Sequence, residues 1–273
     1  MKKFEGILFC TDLDGTLLQS DHTVSKENLN AIEYFKQEGG LFTFVTGRMP
    51  YFATDVYRII QPNAPFGCIN GGGIYDPRIN EYVWTIEMPR EVTELVKYAE
   101  QKIPEIGIQV NTFDNVYFCR ENSAMARFRE ITKVPNLVCH YDGVRHPIAK
   151  IVFGDENEEN INALKRLLDA HPKAGNFDFI RSEQTLYEIL PKGISKGAVL
   201  RKLTEVLQID IRKTVAVGDY NNDISMLLAA GLGIAVSNAV EGAKSVADHI
   251  TVSNDEHAIA RVIADLDCGI LTV

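Results

Sequence analysis

Two carboxylates stand two positions apart near the start of the chain, Asp12 and Asp14, and Gly15 and Thr16 follow at once. The residues before them, Gly6 to Cys10, are mostly apolar and read as a buried strand. In an extended chain, residues i and i+2 share a face, so both carboxylates can approach one site at the strand's carboxyl end. Carboxylates that close repel each other unless a cation sits between them or one holds a proton. Either state is useful for chemistry. The alternative is an acidic turn, since Asp-Gly is a common turn pair. These residues alone leave both readings open.

Three further polar clusters follow apolar runs or open helices: Thr46 in Thr46-Gly47-Arg48, Lys196 in Gly193-Ile194-Ser195-Lys196-Gly197, and Asp219 with Asn222 and Asp223 in Gly218-Asp219-Tyr220-Asn221-Asn222-Asp223. Asp12, Asp219 and Asp223 offer hard oxygen ligands, and a few carboxylates completed by water suit Mg²⁺. Lys196 supplies a fixed positive charge. Thr46 and the backbone around Gly47 can donate hydrogen bonds to anionic oxygens. A cation site, a lysine and aimed donors around a carboxylate are what phosphoryl transfer needs, because its catalysis is mostly positioning and charge stabilisation. A carboxylate can itself be the nucleophile, and two carboxylates with different neighbours can divide the roles.

Each residue also has a structural reading. Lys196 could be an exposed lysine in a first helical turn, although the partial positive charge there disfavours a cation. Thr46 could satisfy local backbone. Asp219 could cap the following helix, but Asn222 and Asp223 are better placed to do so, which leaves Asp219 free to ligate. Gly71 to Gly73 could make only a tight turn. Arg48 could pair with substrate or with a core carboxylate.

The surrounding elements must bring these clusters together. Ser25 reads as an N-cap before Leu29, Ile32 and Phe35 at helical spacing, with Gly39-Gly40 as the stop. Leu41 to Val45 is a second buried strand, Pro50 to Ile60 a helix, and Phe66 to Ile69 a short strand leading into Asn70-Gly71. Strands alternating with helices predict a parallel sheet covered on both faces, with ligands at the strands' carboxyl ends. After about Tyr82 the rhythm changes. Helices starting near Pro89, at Ser123 to Thr132 and around Ile161 to Leu168 alternate with a strand at Ala149 to Phe153 and two hairpins, Ile106 to Val110 with Val116 to Cys119 and Phe177 to Arg181 with Thr185 to Leu190. That pattern predicts an α+β domain with an antiparallel sheet. From Ser195 the first rhythm returns. The expected organisation is a Rossmann-like α/β core, residues 1–82 and 191–273, interrupted by an inserted α+β domain, residues 83–190. Linkers are expected near Asp76 to Val83 and Leu190 to Ile194.

Composition agrees with a globular protein that buries a real core: 273 residues, 45% hydrophobic and 24% charged. The net charge of −9 disfavours a sequence-independent nucleic-acid binder, while local charge and a bound metal still allow a phosphorylated small molecule. The five cysteines, Cys10, Cys68, Cys119, Cys139 and Cys268, are scattered and read as free thiols in a reducing compartment. Glu5 and Asp12 interrupt any leader-like apolar run, and no stretch reaches membrane-span length. A cytoplasmic protein with no membrane or nucleic-acid partner, monomeric or weakly homodimeric, is expected.

The motifs together resemble the haloacid dehalogenase (HAD) superfamily phosphatases, of the Cof-type branch with a type IIB cap. The DxDGT motif stands as Asp12-Leu13-Asp14-Gly15-Thr16, the second motif as Thr46, the Asn-Gly turn as Asn70-Gly71, the lysine as Lys196 and the acidic motif as Gly218 to Asp223, followed by Met226, Ala230-Gly231 and Ser237-Asn238-Ala239. The match covers both flanks of the insertion. The resemblance implies that Asp12 attacks phosphorus and ligates Mg²⁺. It implies that Asp14 protonates the leaving group, then activates water, and ligates the metal through its carbonyl. Asp219 would be a third ligand, and Asp223 would act through a water ligand. Thr46, the Gly47 amide and Lys196 would hold the phosphoryl oxygens, with Asn222 touching them or orienting its neighbours. Tyr220 departs from the small polar residue common at its position. The resemblance implies a Mg²⁺-dependent phosphatase that hydrolyses small phosphorylated metabolites, such as sugar phosphates, through an aspartyl-phosphate. The alternatives are a phosphomutase and a non-catalytic binding or regulatory member; a dehalogenase fits less well, since that chemistry needs neither Asp14 nor a metal. The insertion would be the lid, and Asn111 to Asn115, Tyr141 to His146 and Arg181 to Gln184 are candidate readers of the leaving group.

Overall fold

Four-residue apolar runs that alternate with amphipathic helices build the first of two units in the computed structural model, which describes residues 2–273. This unit comprises Met1–Thr85 and Ser195–Val273; the second is Ile86–Ile194. The main sheet of the first unit has five parallel strands in the order His249–Ile250, Leu232–Ala235, Thr214–Gly218, Leu8–Thr11, Leu41–Phe44. Both faces are covered, so Leu8 to Thr11 and Thr214 to Gly218 are buried without alternation, as a doubly covered parallel sheet requires. Phe9 stacks on Phe42 at 5.3 Å between centroids, and Phe44 on Phe66 at 4.4 Å. Ser25 caps the helix Lys26–Gln37 by accepting the Asn28 N–H at 3.2 Å. The order reverses direction on either side of Leu8–Thr11, which makes a switch-point crevice at the carboxyl ends of the central strands.

Two local expectations are corrected. Phe66–Cys68 has a single ladder bridge to the parallel sheet among the described residues, Val45–Gly67, and instead begins a three-stranded antiparallel sheet with Gly73–Asp76 and Glu81–Thr85. The segment from Asp76 to Val83 is therefore a hairpin rather than a linker. Its tight turn is closed by Asp76, whose carboxylate accepts from the Arg78 backbone at 2.9 Å and from its guanidinium at 2.8 and 2.6 Å. Pro77 and Asn80 hid the flanking strands. The unit boundaries accordingly fall at 85/86 and 194/195, because Glu81–Thr85 pairs with the first unit and Leu186–Pro191 with the second.

The second unit is a six-stranded sheet in the order Phe177–Glu183, Leu186–Pro191, Ile148–Gly154, Gly107–Thr112, Val116–Arg120, Leu137–Val138; every pairing is antiparallel except the last. Val92, Leu95, Val96 and Ala99 of the helix Val92–Lys102 and Ile161, Leu164 and Leu168 of the helix Glu158–Asp169 pack on one face against Ile108, Val110, Ile151, Phe153 and Ile189. Among the described residues no helix is long and apolar enough to cross a membrane.

Candidate active site

Asp12, Thr46 and Asp219 sit just past the carboxyl ends of three neighbouring strands, Leu8–Thr11, Leu41–Phe44 and Thr214–Gly218. The parallel ladder carries each strand to its end: the Asp12 N–H donates to the Val217 carbonyl, and the Val45 N–H to the Thr11 carbonyl, both at 2.9 Å. Lys196 opens the helix Lys196–Leu207, whose N-cap Ser195 accepts the Ala198 N–H at 3.1 Å. Its ammonium is not exposed. It is 1% accessible and lies 2.6 Å from Asp12 Oδ1 and 2.6 Å from Asp223 Oδ1.

One oxygen each from Asp12, Asp219 and Asp223 lies within 4.8 Å of the others. One lysine against three carboxylates leaves two negative charges uncompensated in a buried setting. Burial pushes the Asp12 carboxyl well up, and Asp223 and Asp219 add to this while Lys196 opposes it. Burial also pushes Asp219 up to about 6, with the Thr16 hydroxyl opposing and Asp223 adding. Burial alone would lower Lys196, but Asp12 and Asp223 outweigh it and hold the lysine charged. An all-oxygen donor set with this charge deficit fits a hard divalent cation.

Asp223 does not cap the helix Ile224–Ala229 that follows it. Its Oδ2 instead accepts the backbone N–H groups of Asp219 at 3.1 Å and Tyr220 at 3.0 Å, folding the acidic turn back on itself while Oδ1 meets Lys196. Asp219 is left uncommitted to a helix, and Thr16 Oγ1 donates to its Oδ1 at 2.7 Å. Gly15 must lack a side chain: its φ is +78°, and a Cβ there would lie 2.6 Å from Asp219 Oδ2.

Asp14 points elsewhere. Arg48 grips its carboxylate with two nitrogens, Nε donating to Oδ2 at 2.9 Å, and also donates to the Phe52 carbonyl. The open choice for Arg48 is thus resolved toward a carboxylate. Thr46 is buried, and its Oγ1 accepts the Arg48 N–H at 3.2 Å. Gly47 packs over Asn70, where a Cβ would come within 2.8 Å of Oδ1. Asn70 holds a left-handed φ of +53° and accepts from Asn222 Nδ2 at 3.2 Å, so Gly47, Asn70 and Asn222 form one contiguous wall. Sequence reasoning gave no role to Asn238, whose Nδ2 donates to the Gly15 carbonyl at 2.9 Å across 223 residues. No local signal points to that contact; only its place after the acidic motif does.

The three turns in the second unit are held by its own residues. Thr112 Oγ1 accepts the Asn115 N–H at 3.0 Å, Arg90 donates to the Val144 and Arg145 carbonyls, and Arg181 is spent on Asn162, Glu158 and the Gln184 carbonyl.

Residues 9–263 match the family described as haloacid dehalogenase-like hydrolase. The phosphatase YwpJ of Bacillus subtilis is 27% identical, over 95% of this chain and 99% of the relative. The 5-amino-6-(5-phospho-D-ribitylamino)uracil phosphatase YitU of the same organism is 24% identical, over 94% of this chain and 96% of the relative. Among solved structures, the HAD subclass IIB sugar phosphatase BT4131 superposes with a TM-score of 0.80 at 21% identity, covering 97% of this chain and all (100%) of that one.

Proposed function

The chain belongs to the haloacid dehalogenase-like hydrolase family and is a phosphatase of its Cof-type branch, and from that premise we propose that it hydrolyses small phosphate monoesters through an aspartyl-phosphate on Asp12, with Mg²⁺ as cofactor. The observation that carries this reading is the buried Lys196 ammonium, 2.6 Å from both Asp12 and Asp223, two of the three carboxylates that converge with Asp219. Asp12, Asp219, Asp223 and the Asp14 carbonyl would hold the cation, which supplies positive charge against the phosphate and the developing negative charge.

Lys196, the Thr46 hydroxyl and the Gly47 amide bind the phosphoryl oxygens, and Asn222, steadied by Asn70, orients the group from the side. An Asp12 oxygen forms a bond to phosphorus as the ester P–O bond breaks, and Asp14 gives its proton to the departing alkoxide. Asp14, now ionised, takes a proton from water. The water oxygen bonds to phosphorus, the acyl-phosphate P–O bond breaks, and inorganic phosphate leaves with Asp12 restored. Arg48 orients the Asp14 side chain through both of its carboxylate oxygens. The names of the relatives support a hydroxylated leaving group of metabolite size, such as a sugar or ribityl phosphate.

The test is phosphate release from a panel of phosphorylated metabolites by the parent, by the parent in excess chelator and by Asp12→Asn. Turnover is expected only in the first case. Release that survives chelation overturns the Mg²⁺ requirement, and release by Asp12→Asn overturns the covalent step.

A further inference from the structure

Two of the five cysteines stand side by side at the edge of the second unit's sheet. The edge strand Leu137–Val138 is two residues long and pairs in parallel with Val116–Arg120, Tyr117 opposite Leu137 and Phe118 opposite Val138. One further step in this register sets Cys139 beside Cys119. Opposed residues of a parallel pair project to one face, and both cysteines pack with Tyr117 against the same helix-covered core. Neighbouring strands lie about 4.8 Å apart, within the roughly 4.4–6.8 Å between Cα atoms that a disulfide spans. Both thiols are free and half-buried.

A free cysteine often serves only as a small hydrophobe. Cys10 and Cys68 fit that description, since both are fully buried. Cys119 and Cys139 differ from them in being reachable from solvent. Cys119 also sits in a β-bulge. Against the strand Gly107–Thr112, Phe118 faces Gln109 and Arg120 faces Ile108, so Cys119 between them faces neither. A bulge of this kind re-aims a side chain at a sheet edge. The hydrogen bonds of both thiols are local and weak: Cys119 Sγ donates to the Tyr117 carbonyl at 3.8 Å and Cys139 Sγ to the His140 carbonyl at 3.2 Å. Turning either thiol toward the other therefore gives up little. Burial pushes the Cys119 thiol up to about 12, and the neighbouring Cys139 is the next cause. A thiol held neutral is a poor nucleophile, so a dissolved oxidant reacts first at Cys139.

We propose that Cys119 and Cys139 are a redox-sensitive pair that closes to a disulfide on oxidation by a low-molecular-weight disulfide, stapling the edge strand Leu137–Val138 to its neighbour. The Cys139 thiolate attacks one sulfur of the oxidant, the oxidant's S–S bond breaks, and one small thiol leaves. Cys119 then gives up its proton, its sulfur bonds to the Cys139 sulfur, and the second small thiol is displaced. Two electrons pass from the protein to the oxidant, and the two thiol protons of the protein end on the released thiols. The bridge encloses residues 120–138 with the helix Ser123–Thr132. Closing that loop covalently restricts the chain whenever the edge strand detaches, which favours the attached form. None of the phosphatase chemistry enters this pairing.

The test treats the folded full chain with excess glutathione disulfide, blocks the remaining thiols with iodoacetamide, and analyses tryptic peptides by mass spectrometry without reduction. Peptides 103–120 and 134–145, which carry Cys119 and Cys139, are expected to be linked, lighter than their sum by two hydrogen atoms, and separated by dithiothreitol. In Cys119→Ser the reaction is expected to stop at a glutathione adduct on Cys139. Hydrogen exchange of residues 136–139 is expected to slow at least about tenfold in the oxidised parent relative to the reduced parent, and to be unchanged by the same treatment of Cys119→Ser. A parent that stops at the glutathione adduct, that leaves both peptides unlinked, or that links Cys139 to Cys268 of a second molecule overturns the pairing. Linked peptides with unchanged exchange overturn the staple.

Discussion

Replacing Lys196 by methionine isolates the electrostatics on which the site depends. The ammonium is 1% accessible and is shared by Asp12 and Asp223 at 2.6 Å each. Methionine has nearly the same length, so the volume is kept and the charge is lost. Three carboxylates whose nearest oxygens lie within 4.8 Å then face each other in a buried setting. Removing one partner of a buried ion pair costs about 3–5 kcal/mol, because the remaining charge is uncompensated. With a urea slope of about 2 kcal/mol/M, the midpoint falls by roughly 2 M. Trp84 is the chain's single tryptophan and lies in the first unit, so its fluorescence reports this unit's unfolding directly. The control is Lys202→Met, which breaks the exposed Lys202–Glu205 pair and costs under about 1 kcal/mol. Adding Asp223→Asn to Lys196→Met removes one excess charge and recovers part of the loss, as does 10-fold molar excess Mg²⁺ over EDTA. A Lys196→Met midpoint within about 0.3 M of the parent in EDTA, or a double variant less stable than the single, would refute the charge-compensation reasoning.

Stability should also depend on pH in the metal-free protein. A carboxyl whose folded pKa is raised favours the folded state while protonated; the contribution is full below the ordinary value of 3.8 and is lost as pH rises through about 6 for Asp219. Asp12 is raised as well and acts in the same direction. Urea midpoints in EDTA are therefore expected to fall between pH 4 and pH 7, and saturating Mg²⁺ should flatten that fall; a midpoint that rises over this window contradicts the assignment. Asp14→Asn leaves the Asp12 cluster intact but removes the proton carrier. Quenched-flow experiments should find phosphoenzyme that forms slowly and persists, with turnover reduced at least about 10²-fold; undiminished turnover removes Asp14 from the reaction.

The candidate site was legible in the sequence because its residues lie in short stretches. Asp12-Leu13-Asp14-Gly15 places two carboxylates by backbone geometry alone, and Gly218 to Asp223 follows a strand that apolar content identifies. The α/β rhythm and its interruption were readable for the same reason: period and burial leave a local trace. The strand hairpin across Asp76 to Val83 was not readable, because Pro77 and Asn80 give a loop signal and the pairing that overrides it is with Phe66–Cys68.

What only the tertiary structure decided is which charges meet. Arg48 had two open partners until the fold put Asp14 against it, 34 residues away. Asp223 read as a cation ligand or a helix cap until the fold gave one of its oxygens to Lys196 and the other to the turn amides. Gln109 and Glu188 fall within strands that the sequence predicts, but only the fold shows that both are buried. The physical reason is common to all three. A motif fixes which groups a segment offers, but the partner of a charge or a buried amide is chosen by residues brought near by folding, and no local pattern encodes that choice.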